Sequence, residues 1–83
     1  MNTQIIIKMV RPGYDEGHHM RFKVKRICRV NRLMTVIHTR LGFPPSYYRL
    51  FYKGRRMIPT QSFMDLGMQN GDTFDMVLEL RGS

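Results

Sequence analysis

A single stretch of helical periodicity, enclosed by runs of period two, restricts the fold of this sequence more than any other feature. Val30, Leu33, Met34, Ile37 and Leu41 fall on one face of an α-helix, and Gly42 followed by Pro44-Pro45 stops it. The start is less well marked. Cys28 stands near the N-cap, where Ser, Thr or Asp would accept from the first-turn N–H groups. Before the helix, Ile5, Ile7 and Met9 alternate with Ile6, Lys8 and Val10, a strand that Arg11-Pro12-Gly13 breaks. Residues 14–19 read as a polar hairpin loop. Phe22 and Val24 then alternate with Arg21, Lys23 and Lys25 in a second strand with a basic outer row.

Beyond the helix, residues 48–52 read as a third strand, which Lys53-Gly54 turns into a short strand around 56–58. Residues 59–68 are irregular or briefly helical, and the Asn70-Gly71-Asp72 turn leads into a last strand over 73–80. The order is ββαββ, a short connection, then β. One apolar helix face and one apolar sheet face bury each other at this length, so the predicted class is α+β, a small mixed sheet with one packed helix. With 83 residues the chain is one small domain, near the lower end of what folds on a single core.

Charge narrows the partners. The chain carries 14 Lys+Arg against 6 Asp+Glu, a formal net charge of +8. Only Lys8, Lys23, Lys25 and Lys53 are lysines, so Arg dominates and favours bidentate contact with carboxylate or phosphate. Acidic proteins, nucleic acid and anionic membranes all answer to such a charge. The N-terminal apolar run is interrupted by Lys8 too early for a signal-peptide core or a membrane span, so no membrane partner is expected.

Catalytic and metal chemistry find no footing in the residues. There is no nucleophile–base pair, no carboxylate pair and no phosphate-cradling glycine loop, so no catalytic residue and no enzyme activity is expected. His18, His19, His38 and Cys28 have no metal-ligand spacing, and neither a metal nor a cofactor is expected. The lone Cys28 cannot form an internal disulfide, which favours a reducing compartment, the nucleus or cytoplasm.

Several short segments, in order, resemble the SUMO branch of the ubiquitin-like proteins and their β-grasp fold. They are F-K-V-K-R (22–26), R-L-M (32–34), R-L-F-Y-K-G-R-R (49–56), Gln61-Ser62, L-G-M (66–68) and G-D-T-F-D (71–75). The pattern overlays without gaps from about Arg21 to Ser83, and only the first hairpin, around residues 12–16, is longer. The resemblance implies a monomeric SUMO-like domain over residues 1–80 and a tail over 81–83. It also implies a peptide-binding groove beside the second strand. Phe22, Val24 and Leu33 would line its floor, and Lys23, Lys25, Arg32 and Arg40 its basic rim. Its partners would be proteins carrying SUMO-interaction-type motifs, hydrophobic segments with flanking acids. Enzymes that activate and conjugate SUMO are the other class implied. Phe51 and Val77 correspond to a second, apolar patch on the opposite face.

The end of the chain departs from the family. SUMO proteins are acidic around the turn before the last strand, where this chain has Gln69-Asn70-Gly71-Asp72. V-L-E-L-R-G (77–82) is closer to ubiquitin's ending, but Glu79 puts an acid where ubiquitin has an Arg, which argues against ubiquitin's own activating enzyme. In the expected conjugation tail, Arg81, Gly82 and Ser83, the last residue places a Cβ and a hydroxyl where the family has a second glycine. Covalent conjugation is therefore expected to be impaired. Ser83 fits the native end of a divergent modifier, a boundary inside a longer tandem protein, or a Gly-Ser cloning remnant, and the residues leave all three open.

A nucleic-acid-binding domain is the alternative from a different class. Arg21, Lys23, Lys25, Arg26, Arg29 and Arg32 would track a phosphate backbone while Tyr47 and Tyr48 stack on bases.

Overall fold

The helix forms where the periodicity puts it. In the computed structural model, which describes residues 3–13 and 19–79, α1 (Val30–Leu41) buries Val30, Leu33 and Ile37. Gly42 ends it in the left-handed region at φ 77°, and its N–H returns to the His38 carbonyl at 2.8 Å. His38 and Arg40 in the last turn complement the negative end of the helix dipole.

The weak N-terminus has a non-local solution. Arg29 is the N-cap and its side chain makes no capping bond. Instead the Val30 N–H donates to the Gln61 carbonyl at 2.8 Å and the Asn31 N–H to the Pro59 carbonyl at 3.0 Å. The 59–61 segment thus satisfies donors that a Ser or Asp would otherwise have served. It is held in place by α2 (Phe63–Leu66), a short helix closed by a capping box. The Ser62 hydroxyl accepts from the Asp65 N–H, and the Asp65 carboxylate accepts from the Ser62 N–H. Phe63, fully buried, plugs α2 into the core beneath α1.

The strands are β1 (Gln4–Val10), β2 (Met20–Lys25), β3 (Tyr48–Tyr52), β4 (Arg55–Arg56) and β5 (Thr73–Leu78). They form one sheet in the order β2-β1-β5-β3-β4. β1 and β5 run parallel and every other pair is antiparallel, so the sheet is mixed. Its inner face carries Ile5, Ile7, Met9, Phe22, Tyr48, Leu50, Tyr52, Phe74 and Met76, packed against α1. The α+β class holds.

Two expected boundaries move. The short fourth strand lies at Arg55–Arg56 rather than 56–58. Lys53 at φ 50° and Gly54 at φ 77° make a two-residue hairpin turn with both centres at positive φ, which forces Tyr52 to pair with Arg55 and Phe51 with Arg56. Met57 buries and donates to the Leu50 carbonyl, whereas Ile58 turns outward and its N–H goes to the Gln61 side chain. The last strand ends at Leu78, although the Glu79 N–H still reaches the Tyr47 carbonyl at 2.7 Å. Most of the first hairpin loop (14–18), Leu80 and the tail residues Arg81, Gly82 and Ser83 lie outside the described residues.

The turn before β5 is bound to the sheet through Asp72. Its carboxylate accepts from the Tyr52 hydroxyl and from the Gln69 N–H, and these bonds hold it below the usual carboxylate range. The same bond to Asp72, with burial, pushes the Tyr52 phenol up to about 12. A depressed carboxylate stabilises the fold above the unfolded Asp pKa of about 3.9, and that contribution disappears as pH falls through its folded value. A raised phenol stabilises the fold below pH ~10 and loses its contribution as pH rises toward 12. Tyr52→Phe is therefore expected to flatten both the acid and the alkaline flanks of the stability profile. Urea midpoints measured at pH 3, 7 and 10.5 test this; unchanged flanks would show that the pair carries no linkage.

Candidate functional site

Among the described residues β2 is an edge strand, with β1 as its one neighbour in the sheet. The phase of their ladder follows from one bond. The Arg26 N–H donates to the Thr3 carbonyl at 2.9 Å, one step beyond the Gln4–Lys25 pair. Backbone groups alternate along an antiparallel pair, so those of Val24, Phe22 and Met20 turn toward β1 and those of Lys25, Lys23 and Arg21 turn outward. Two outward carbonyls are occupied. That of Lys25 accepts from the Cys28 N–H at 3.0 Å, and that of Arg21 from the Arg40 guanidinium at 3.1 Å. Among the described residues, the Lys23 N–H and carbonyl and the N–H groups of Arg21 and Lys25 have no protein partner.

Between this edge and α1 runs a groove of about 610 Å³. Phe22, Lys23, Val24, Lys25, Arg32, Leu33 and Arg40 all border it, joined by Gln4, Cys28, Val36 and Phe63. Their roles differ. Phe22 and Leu33 are 3% and 1% exposed, so they support the floor as core residues more than they present surface. The Arg40 guanidinium covers the Phe22 ring at 4.8 Å from its centroid, a cation–π contact. The accessible apolar surface comes instead from Val24, half-buried, and Val36, 37% exposed. Val36 was legible: it lies one helical turn from both Arg32 and Arg40, on the stripe that faces β2.

The other expected sites are placed differently. Phe51 and Val77 lie on the open face of the sheet, where Phe51 pairs with Asp75 and Val77 with Arg49, so the two apolar side chains are diagonal neighbours. Phe51 is half-buried and Val77 40% exposed. Arg49 is drawn to Glu79 in an ion pair. The nucleic-acid surface does not assemble as expected. Tyr48 is 3% exposed and its hydroxyl donates to the Met34 carbonyl, so it cannot stack on a base. Burial pushes that phenol up to about 12. Lys23, Lys25 and Arg32 border the groove, Arg21 leaves β2 on the face opposite Phe22, and the Arg29 guanidinium is taken by the Thr60 carbonyl, so the cations form no single row. Among the described residues, no group of His, Cys, Asp and Glu could hold a metal ion.

The family model described as Rad60-SLD, "Ubiquitin-2 like Rad60 SUMO-like", matches residues 5–78. The chain is a SUMO-like member of the ubiquitin-like proteins. The SUMO-like domain is 30% identical over 68 residues to ubiquitin-like protein pmt3/smt3 of Schizosaccharomyces pombe, covering 82% of this chain and 58% of that protein. It is 32% identical over 54 residues to ubiquitin-like protein 1 of the same organism, covering 65% of this chain and 69% of that one. The solved structure of Caldiarchaeum subterraneum ubiquitin superposes with a TM-score of 0.83 at 28% identity, over 96% of this chain and 99% of that one. The fold is thus the ubiquitin-like β-grasp, and the domain spans about three fifths of the length of pmt3/smt3.

Proposed function

We propose that this SUMO-like domain is a protein-interaction module of the nucleus or cytoplasm that takes a short extended segment of another protein into the groove between β2 and α1. The segment adds to the outward backbone groups of Arg21, Lys23 and Lys25 as a further strand. Its aliphatic side chains pack on Val24 and Val36, and its flanking acids meet Lys23, Lys25, Arg32 and Arg40. One observation carries the reading: an edge strand with unpaired backbone groups borders an apolar groove whose rim is wholly cationic among its charged residues. Main-chain pairing supplies affinity, and the pockets and rim supply selection. The mechanism is non-covalent recognition rather than catalysis, and it draws on none of Arg81, Gly82 and Ser83. A segment of this length buries little area, so a dissociation constant on the order of micromolar, about −8 kcal/mol, is expected.

Titration of the labelled domain with a peptide of four aliphatic β-branched residues between acidic ends is the test. The amides of residues 21–25 and of Arg32, Val36 and Arg40 are expected to shift together. Val36→Glu should weaken the peptide by about tenfold, through lost apolar contact and like-charge repulsion, and move the melting temperature little. Cys28, the only cysteine, borders the same groove, so bound peptide should slow its alkylation. Shifts confined to the open sheet face, with Cys28 unprotected, would overturn the reading.

A further inference from the structure

Arg40 is bound to the strand edge that an added strand must use. Its guanidinium leaves the last turn of α1, lies over the Phe22 ring at 4.8 Å and donates to the Arg21 carbonyl at 3.1 Å. That carbonyl is an outward acceptor of β2, by the ladder phase that the Arg26–Thr3 bond sets. The free edge is consequently short of acceptors: of the three outward carbonyls, that of Lys23 alone has no partner among the described residues. The Lys25 carbonyl is held within the chain turn by Cys28, close in sequence. The Arg21 carbonyl is held by the long, exposed Arg40 side chain, which regains rotamer freedom when released.

We propose that Arg40 is a charge-operated latch on the β2 edge: a carboxylate or phosphate of the incoming segment draws its guanidinium away, and the freed Arg21 carbonyl then accepts a backbone N–H of that segment. This rests on the groove reading above and adds a selection rule to it. Recognition of the acid and extension of the ladder become one event when the guanidinium, in turning to pair with the acid, leaves the carbonyl. A segment without an acid at that end must displace the latch without compensation, or dock with one ladder bond fewer. A pair of Arg with a carboxylate, in which both partners are charged and the contact can be bidentate, is stronger than the single bond from the guanidinium to a neutral carbonyl, so the exchange is favourable for acidic segments. Acid selectivity in this domain then comes from opposing effects on two classes of segment rather than from attraction alone.

The test compares two peptides with the same aliphatic core, one with acidic and one with uncharged polar residues at the ends, on the wild-type domain and on Arg40→Ala. The acidic peptide is expected to lose roughly three- to tenfold on Arg40→Ala, while the uncharged peptide gains roughly two- to fivefold. In the wild type, the acidic peptide should shift the Arg21 carbonyl carbon and the Arg40 guanidinium signals together, whereas the uncharged one should move both much less. Equal losses for both peptides on Arg40→Ala, or no change for either, would overturn the latch while leaving the groove intact. Absence of any shift at Lys23 with either peptide would overturn the groove reading and the latch with it. Arg40 is exposed at the helix end, so the variant is expected to fold, and an unchanged melting temperature checks this.

Discussion

Phe74→Ala is expected to leave the domain close to half unfolded, or beyond, in native buffer at 37 °C. Phe74 is 1% exposed on β5, the central strand, and its ring packs tilted against Phe22 with centroids 6.1 Å apart. Removing a buried Phe side chain costs about 3–5 kcal/mol, the transfer loss plus the cavity that the neighbours cannot fill. Folded domains have about 5–15 kcal/mol in total, and one this small sits at the low end. The cost therefore approaches the whole. Phe51→Ala is the control, since its side chain is half-buried on the open face of the next strand and should cost about 1 kcal/mol or less. Urea titrations followed by far-ultraviolet circular dichroism decide the matter. If Phe74→Ala stayed within about 1 kcal/mol of the wild type, the ring could not be the packed core element described here.

Elements whose signals are local were readable along the chain. The helix was, because its stripe, Val30 to Leu41, and its glycine stop lie within one contiguous segment. So was the basic, alternating character of β2. The capping box at Ser62 and Asp65 was also present as a motif, Ser-x-x-Asp, and identifies α2 within a stretch that otherwise reads as irregular. What could not be read locally depends on chain returning from elsewhere. The helix N-terminus is capped by carbonyls of residues 59 and 61, some thirty positions away. Nothing near Cys28 announces that.

The groove divides in the same way. Its residue types were legible as alternating positions on β2 and as a stripe on α1, and the family resemblance supplied the idea that the two face each other. Their division of labour was not. Phe22 and Leu33 look like an apolar floor in sequence, yet burial takes most of their surface into the core and leaves the contact to Val24 and Val36. Which backbone groups of β2 point outward depends on one register, and a one-residue slip would exchange them. The coupling of Arg40 to Arg21 spans the hairpin of sheet and helix and exists only once both are packed.

Lys23→Pro addresses that outward geometry directly, and is expected to weaken an aliphatic, acid-flanked peptide by roughly 10- to 100-fold. The Lys23 N–H points away from β1 and has no partner among the described residues, so its loss removes no bond from the sheet. Edge strands accept Pro where the N–H faces solvent, and the preceding Phe22 is already extended, as a residue before Pro must be. The incoming strand, however, loses its bond to that N–H and meets the pyrrolidine ring where its own backbone should pair. Disruption of the two bonds at Lys23, at about 0.5–1.5 kcal/mol each, gives the stated range. Lys23→Ala removes the same charge but keeps the N–H, so it should weaken binding by only about two- to fivefold, the worth of one exposed ion pair. The contrast between the two variants separates strand addition from simple electrostatic attraction. If Pro and Ala weakened the peptide equally, while both domains melted like the wild type, the bound segment would be held by side chains alone and β2 would not be extended.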